Sequence, residues 1–179
     1  LPLIAPELRE DRGELEAARQ GRLPTLIEPA DLCGDLHVHT PASDGQDDLD
    51  ALVAAARARG LSYLAVTDRS PQRAATQGRI AARLARQIDR IDRFNERLAG
   101  FTVLKGVEVE ILEDGRLDLP DTVLQRLDLV VAAVHQRFDL SRDRQTERLL
   151  RAMDHRHFTI LAHPTGRLIG QRAAIAVDL

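Results

Sequence analysis

From Asp31 onward the chain repeats one pattern about five times: a short apolar run, a turn, then a stretch with helical spacing. The run Leu36 to Val38 precedes "DDLDALVAAARARG", whose Leu49, Leu52, Val53 and Ala56 keep a helical period until Gly60 stops it. "LSYLAVTD" (61–68) then reads as a buried strand, "RIAARLARQIDRIDRFNERLAG" (79–100) as a long amphipathic helix, and "FTVLKGVEVEIL" (101–112) as a strand closed by the Glu113-Asp114-Gly115 turn. A short helix over Asp121 to Leu127 leads into strand "DLVVAAVH" (128–135), and helix "RDRQTERLLRAM" (142–153) into strand "FTILAHP" (158–164). Strands separated by helices predict a parallel sheet in an open or closed α/β architecture.

The length, 179 residues at 44% hydrophobic, suits one domain with a sizeable core. A net charge of −3 leaves no global positive field to hold nucleic acid, so any phosphate binding must be local. Cys33 is the only cysteine, which excludes an internal disulfide and suits a reducing compartment. With no apolar run long enough for a bilayer or a signal peptide, the expected location is the cytoplasm. Residues 1–30 hold four of the eight prolines without a sustained period, which predicts a linker or docking arm with one short helix at Glu7 to Gln20. The start at Leu1-Pro2 suggests a piece of a longer chain.

In parallel α/β folds the loops at the C-terminal edge of the sheet converge on one crevice, so chemistry collects where strands end. Strand one ends on His37 and His39, strand two on Asp68, strand four on His135 and strand five on His163, while strand three runs through Glu108. Four of the six histidines thus sit at strand ends. His37 and His39 are two apart in extended chain, share a face, and can grip one metal or two adjacent ones. Histidine and carboxylate without cysteine suit zinc, manganese or iron, and Glu108 could bridge two ions. Asp44 is a ligand or a turn-former and helix N-cap; spacing alone does not choose. The pair His155 and His157 lies at the opposite edge of the sheet, where a solvated loop or helix-end role is expected.

The stretches "GDLHVHTPASDG", "YLAVTDRSP", "GVEVEILEDGRLDLPD", "LDLVVAAVHQRFDL" and "AHPTGRLIG" together resemble the PHP (polymerase and histidinol phosphatase) domain at the C-terminus of bacterial family X DNA polymerases. The arm "APELREDRGELEAARQGRLP" resembles the segment joining the polymerase core to that domain, so the resemblance divides the chain into an arm at 1–30 and a PHP domain at 31–179. It implies a distorted seven-stranded (βα) barrel carrying up to three metals, manganese first, with zinc, iron or magnesium as alternatives. The implied chemistry is 3′-to-5′ exonuclease or related phosphoesterase hydrolysis in DNA repair, in a cytoplasmic, nucleoid-associated and monomeric parent that binds DNA and no membrane. By motif, His37, His39 and Glu108 would serve the first metal, Glu108, His135 and His163 the second, and Asp44 would help hold the third. Asp68 would orient a ligand or bound water from beside the site. Arg167 would contact a phosphate or make a surface ion pair.

Two departures from the family pattern stand out. Where the family reads Thr-Asp-His, this chain has Thr67-Asp68-Arg69, and arginine has no lone pair to offer a metal. Arg69 is expected to pair with Asp44 or Asp68, or to bind substrate phosphate where a metal would sit. The chain also stops at Asp178-Leu179, before the family's late Asp-x-His motif, so the barrel is expected to lack its last strands and to expose an open edge. Two competing functions follow: a non-catalytic PHP domain that supports a polymerase and its DNA binding, and a small-molecule phosphatase of the histidinol phosphate type.

Overall fold

The computed structural model describes residues 3–70 and 77–179, and the side chains of all of these except 77–81. The chain divides into two compact units, Leu1–Leu32 and Cys33–Leu179. In the first, the helix expected over Glu7 to Gln20 is broken. A 3-10 turn occupies Pro6–Leu8 and helix α1 covers only Glu14–Arg19. Between them Asp11 (φ 54°) and Gly13 (φ 89°) adopt left-handed backbone, which a helix cannot accommodate. A second 3-10 turn, Pro29–Asp31, is fixed by a reciprocal capping box between Glu28 and Asp31.

The second unit carries five parallel strands: β1 (Gly34–Val38), β2 (Tyr63–Val66), β3 (Thr102–Glu110), β4 (Leu129–Ala133) and β5 (Ile160–Leu161). They lie in chain order, β1-β2-β3-β4-β5, and curl into a half-barrel, as the expected α/β barrel fragment requires. Helices α2 (Leu49–Ala58), α3 (Gln77–Asn95), α4 (Asp121–Leu124) and α5 (Arg142–Met153) make the crossovers. Asp48 caps α2 by accepting from the Ala51 N–H, Ser141 does the same for α5 from Arg144, and Gly60 (φ 79°) follows the end of α2. Expected and observed strands differ most at β5, which is two residues long. Phe158 N–H is spent on His155 O in a turn, and Pro164 can donate nothing to a ladder.

Strand alternation sorts the core into two layers. Leu64, Val66 and Val103 on one side pack with Leu49, Val53, Ile91 and Phe94 of the helices; Val107, Val109, Val130 and Ala132 pack on the same side with Leu84, Leu124 and Leu149. The concave face is lined by smaller residues, Ala65, Leu129, Val131, Ala133 and Ala162. Buried hydrophobic area of this kind, at about 25 cal/mol per Å², is what holds such a sheet closed against its helices. On the concave face, towards the C-terminal edge, the apolar lining gives way to histidine and carboxylate.

Candidate metal centre

Parity along each strand decides which residues reach this edge. Glu108 and Glu110 share the concave face with Leu104, and His135 continues the series Leu129, Val131, Ala133. On β1, Val38 packs towards the helices, which turns His37 and His39 to the other side. The β1–β2 register slips between Asp35 and Val38, the kind of irregularity that re-aims side chains at sites. His163 arrives differently: Ala162 faces the concave side, so alternation would turn the next residue outward, but His163 takes a left-handed backbone (φ 30°), a costly conformation for a non-glycine.

Glu108, 2% exposed, is the centre of the cluster. Its Oε2 lies 3.6 Å from His37 Nε2 and 3.2 Å from His39 Nε2. Its Oε1 lies 3.1 Å from both His135 Nε2 and His163 Nε2. One carboxylate therefore serves two triads, His37–His39–Glu108 and Glu108–His135–His163, one oxygen to each. Five of the six residues expected to ligate metal are thus brought together.

The sixth, Asp44, stands behind the first triad, its Oδ1 2.5 Å from His39 Nδ1. This contact from His39 is the main reason its carboxyl is held below the usual range; burial opposes it, and Arg69 and Ser43 add to it. The second triad has a counterpart that sequence reading missed. Glu110 Oε2 lies 2.9 Å from His135 Nδ1, and its carboxylate also accepts from the His135 backbone N–H at 3.1 and 3.2 Å. Arg148, 2% exposed, backs Glu110 at 3.4 Å and donates to the carbonyls of Leu112, Gln136 and Ile111. Gln145, fully buried beside it, donates to Arg137 O at 2.6 Å. The signal for Glu110 was present: in "GVEVEIL" it lies two residues from Glu108, hence on the same face.

Asp68 and Arg69 take opposite sides. Asp68, fully buried, follows Val66 on the helix-facing parity. It accepts from Thr40 N–H, Thr40 Oγ1 and Ser43 Oγ at 2.7 Å each and from Gln87 Nε2 at 3.0 Å. It ties the 40–45 loop, which carries Asp44, to β2 and α3. Arg69 returns to the concave face, its Nε 2.8 Å from Glu108 Oε2 and its guanidinium 3.1 Å from Asp44 Oδ2. Of the pairings expected for it, the structure shows the one with Asp44, adds Glu108, and does not include Asp68. Arg167 is exposed, and among the described residues its guanidinium has no ion pair. His155 lies elsewhere, 3.1 Å from Asp121 at the start of α4.

Whether this cluster suits a metal can be judged from its own unmet needs. His39 Nε2 and His135 Nε2 are buried without a hydrogen-bond partner among the described residues, although each lies close to a Glu108 oxygen. Each has its other ring nitrogen engaged by a carboxylate, the arrangement that presents a lone pair to a cation. Burial alone would raise the pKa of Glu108, but its contacts with His135, His163, His37 and Arg69 outweigh that and hold it far below the carboxylate range. His135 moves up to about 9, through Glu108 first and Glu110 second, against burial. The opposed shifts record an ion pair in which each group favours the other's charged form. Histidine and carboxylate donors without cysteine fit a hard or borderline divalent ion.

Residues 35–176 match the PHP domain family. The chain belongs to that family. As a PHP domain it is 41% identical over all 179 of its residues to the DNA polymerase/3'-5' exonuclease PolX of Bacillus subtilis (strain 168), of which it spans 31%. It is also 31% identical over 137 residues, 73% of its length, to a protein of Caldanaerobacter subterraneus subsp. tengcongensis named "Probable phosphatase", of which the match covers 51%. A "Probable phosphatase" of Thermoanaerobacter sp. (strain X514) is 33% identical over 135 residues, again 73% of this chain and 53% of that one. The PHP chain thus spans about a third to a half of these relatives. PHP domains are metal-dependent, and the two triads are groups that could hold a metal ion.

Proposed function

We propose that the chain is the PHP domain of a bacterial family X DNA polymerase, joined through residues 1–30 to a polymerase core, and that it hydrolyses phosphodiester bonds from the 3′ end of DNA. The observation that carries this reading is the single buried carboxylate of Glu108 shared between two histidine pairs, one oxygen to each. Divalent ions, manganese first, would supply Lewis-acid chemistry there towards water and a phosphodiester. His37, His39, Glu108, His135 and His163 hold them, and Asp44 and Glu110 orient the rings. Asp68 keeps the 40–45 loop in place, and Arg167, exposed just beyond His163, contacts a backbone phosphate. The match to PolX extends through residues 1–30, whereas the phosphatase matches reported above cover 73% of the chain, which supports the polymerase-associated form. Among the described residues no helix is long and apolar enough to cross a membrane.

A non-catalytic, supporting role is the second reading, and Arg69 favours it. Its guanidinium lies between Asp44 and Glu108, at the sequence position where the resemblance implies a metal-ligating histidine. The test is end-labelled DNA incubated with the full-length protein and Mn²⁺, comparing wild type, His37→Ala and Arg69→His, with a small phosphomonoester as a parallel substrate. Release of 3′ nucleotides that disappears in His37→Ala supports the exonuclease, and a gain in Arg69→His shows that Arg69 attenuates it. Hydrolysis of the monoester alone supports a phosphatase, and no turnover of either substrate supports the supporting role.

A further inference from the structure

The two triads are built to the same plan but not from the same surroundings. At the Oε2 half, Arg69 Nε already occupies a position 2.8 Å from the shared carboxylate oxygen, and the same guanidinium takes Asp44 Oδ2 at 3.1 Å. A cation entering there meets a fixed positive charge that cannot be neutralised by losing a proton. Asp44 divides its carboxylate between Arg69 and His39, and its side chain is 49% exposed. At the Oε1 half, among the described residues, no guanidinium touches the oxygen that faces His135 and His163. Glu110, behind His135, has a side chain only 3% exposed. It grips both the ring Nδ1 and the backbone N–H of His135, and is itself held by Arg148, whose other donors are spent on three main-chain carbonyls.

We infer that the two halves are unequal: the Glu108 Oε1 half, with His135 and His163, binds a divalent cation first and more tightly, and the Oε2 half, with His37 and His39, fills second. The inference rests on the metal-centre reading above. Glu110 is a positioning residue in this scheme. By accepting from His135 Nδ1–H it fixes the tautomer whose Nε2 carries a lone pair, while Arg148 fixes Glu110 without reaching the ligand atoms. Arg69 supplies the inequality from the other side, as a resident cation on Oε2. A partly loaded protein therefore holds one ion, at the end of the site away from Arg69.

Zn²⁺, which is diamagnetic, can be titrated into chelator-treated, ¹⁵N-labelled protein while imidazole nitrogen shifts are followed and binding heats recorded. The first equivalent is expected to move the Nε2 signals of His135 and His163, and the second those of His37 and His39. Glu110→Gln is expected to weaken the tight class about 10–100-fold and to let the His135 tautomer mix, a change that loss of stability alone does not produce. Should that variant fail to fold, Arg69→Ala, at a half-exposed position, decides the matter by tightening the weak class towards the strong one. Movement of His37 and His39 first, or of all four together, overturns the inference, as does an Arg69→Ala variant with unchanged classes. Absence of any Zn²⁺ binding instead removes the metal-centre reading on which it stands.

Discussion

Asp68→Asn keeps the shape of a fully buried side chain and changes only what it can accept, so its effect measures how much the 40–45 loop depends on one carboxylate. Asp68 receives four hydrogen bonds, two on each oxygen: Thr40 N–H and Ser43 Oγ on Oδ1, Thr40 Oγ1 and Gln87 Nε2 on Oδ2. Asparagine presents one oxygen and one NH₂, so with its oxygen in the Oδ1 position the two donors at Oδ2 face another donor. Hydrogen bonds to a charged acceptor contribute about 1.5–3 kcal/mol each, giving a gross loss of about 3–6 kcal/mol. The Thr40 hydroxyl can rotate to accept from the new NH₂ and recover about 1 kcal/mol, leaving a destabilisation of about 2–5 kcal/mol. With a urea m-value of roughly 2 kcal/mol/M, the midpoint of unfolding falls by about 1–2.5 M. Circular dichroism in urea reads this directly. A midpoint within about 0.3 M of wild type would refute the reasoning, because it would mean that the loop is held by contacts other than those to Asp68.

Other outcomes follow from neighbouring geometry. A Cβ at Gly45 would lie 2.1 Å from His39 O, a backbone atom, so Gly45→Ala is expected to cost about 1–3 kcal/mol and to weaken Zn²⁺ binding by displacing Asp44, measured by melting temperature and calorimetry. Arg148→Met removes the partner of a buried carboxylate and is expected to destabilise by about 3–5 kcal/mol in urea unfolding; a neutral outcome would mean that the ion pair with Glu110 does not stabilise the fold. In the metal-free protein, the His135 pKa is raised from about 6.5 to about 9, so its stabilising contribution is complete below the unfolded value and is lost as pH rises through 9. The melting temperature of chelated protein should therefore fall across that window, flatten in His135→Gln, and be matched by metal affinity that rises with pH as the competing proton leaves. Glu108→Gln should eliminate both classes of Zn²⁺ binding together, since both halves use its oxygens.

The strand ends were legible because parallel α/β chains concentrate ligands there, and His37, His39, Glu108, His135 and His163 do meet. What the pattern could not convey is which side of the sheet each end faces. Asp68, next to the site in sequence, lies on the helix-facing side because alternation from Val66 puts it there, and it serves the loop through Thr40, Ser43 and Gln87. His163 reaches Glu108 through a left-handed residue that no propensity would assign to histidine before proline. Arg148 stands in "RDRQTERLLRAM", which the pattern reads only as a helix. Its burial depends on carbonyls at the ends of β3 and β4 that only the folded chain brings near. The long helix expected over 79–100 is observed over Gln77–Asn95, five residues shorter at its end, whereas β5 shrinks to two residues because its apolar sequence is spent on a turn and a loop.

The sheet places its strands in the order in which they are synthesised, and Glu108 lies on the middle one. A ribosome therefore releases His37, His39 and Glu108 while β4 and β5 are still unmade, and the nascent chain can assemble the Arg69-bearing half of the cluster first. At that stage Arg69, His37 and His39 are the partners of Glu108 in the finished cluster that the chain has already supplied. The order in which the site is made is then the reverse of the order in which it fills.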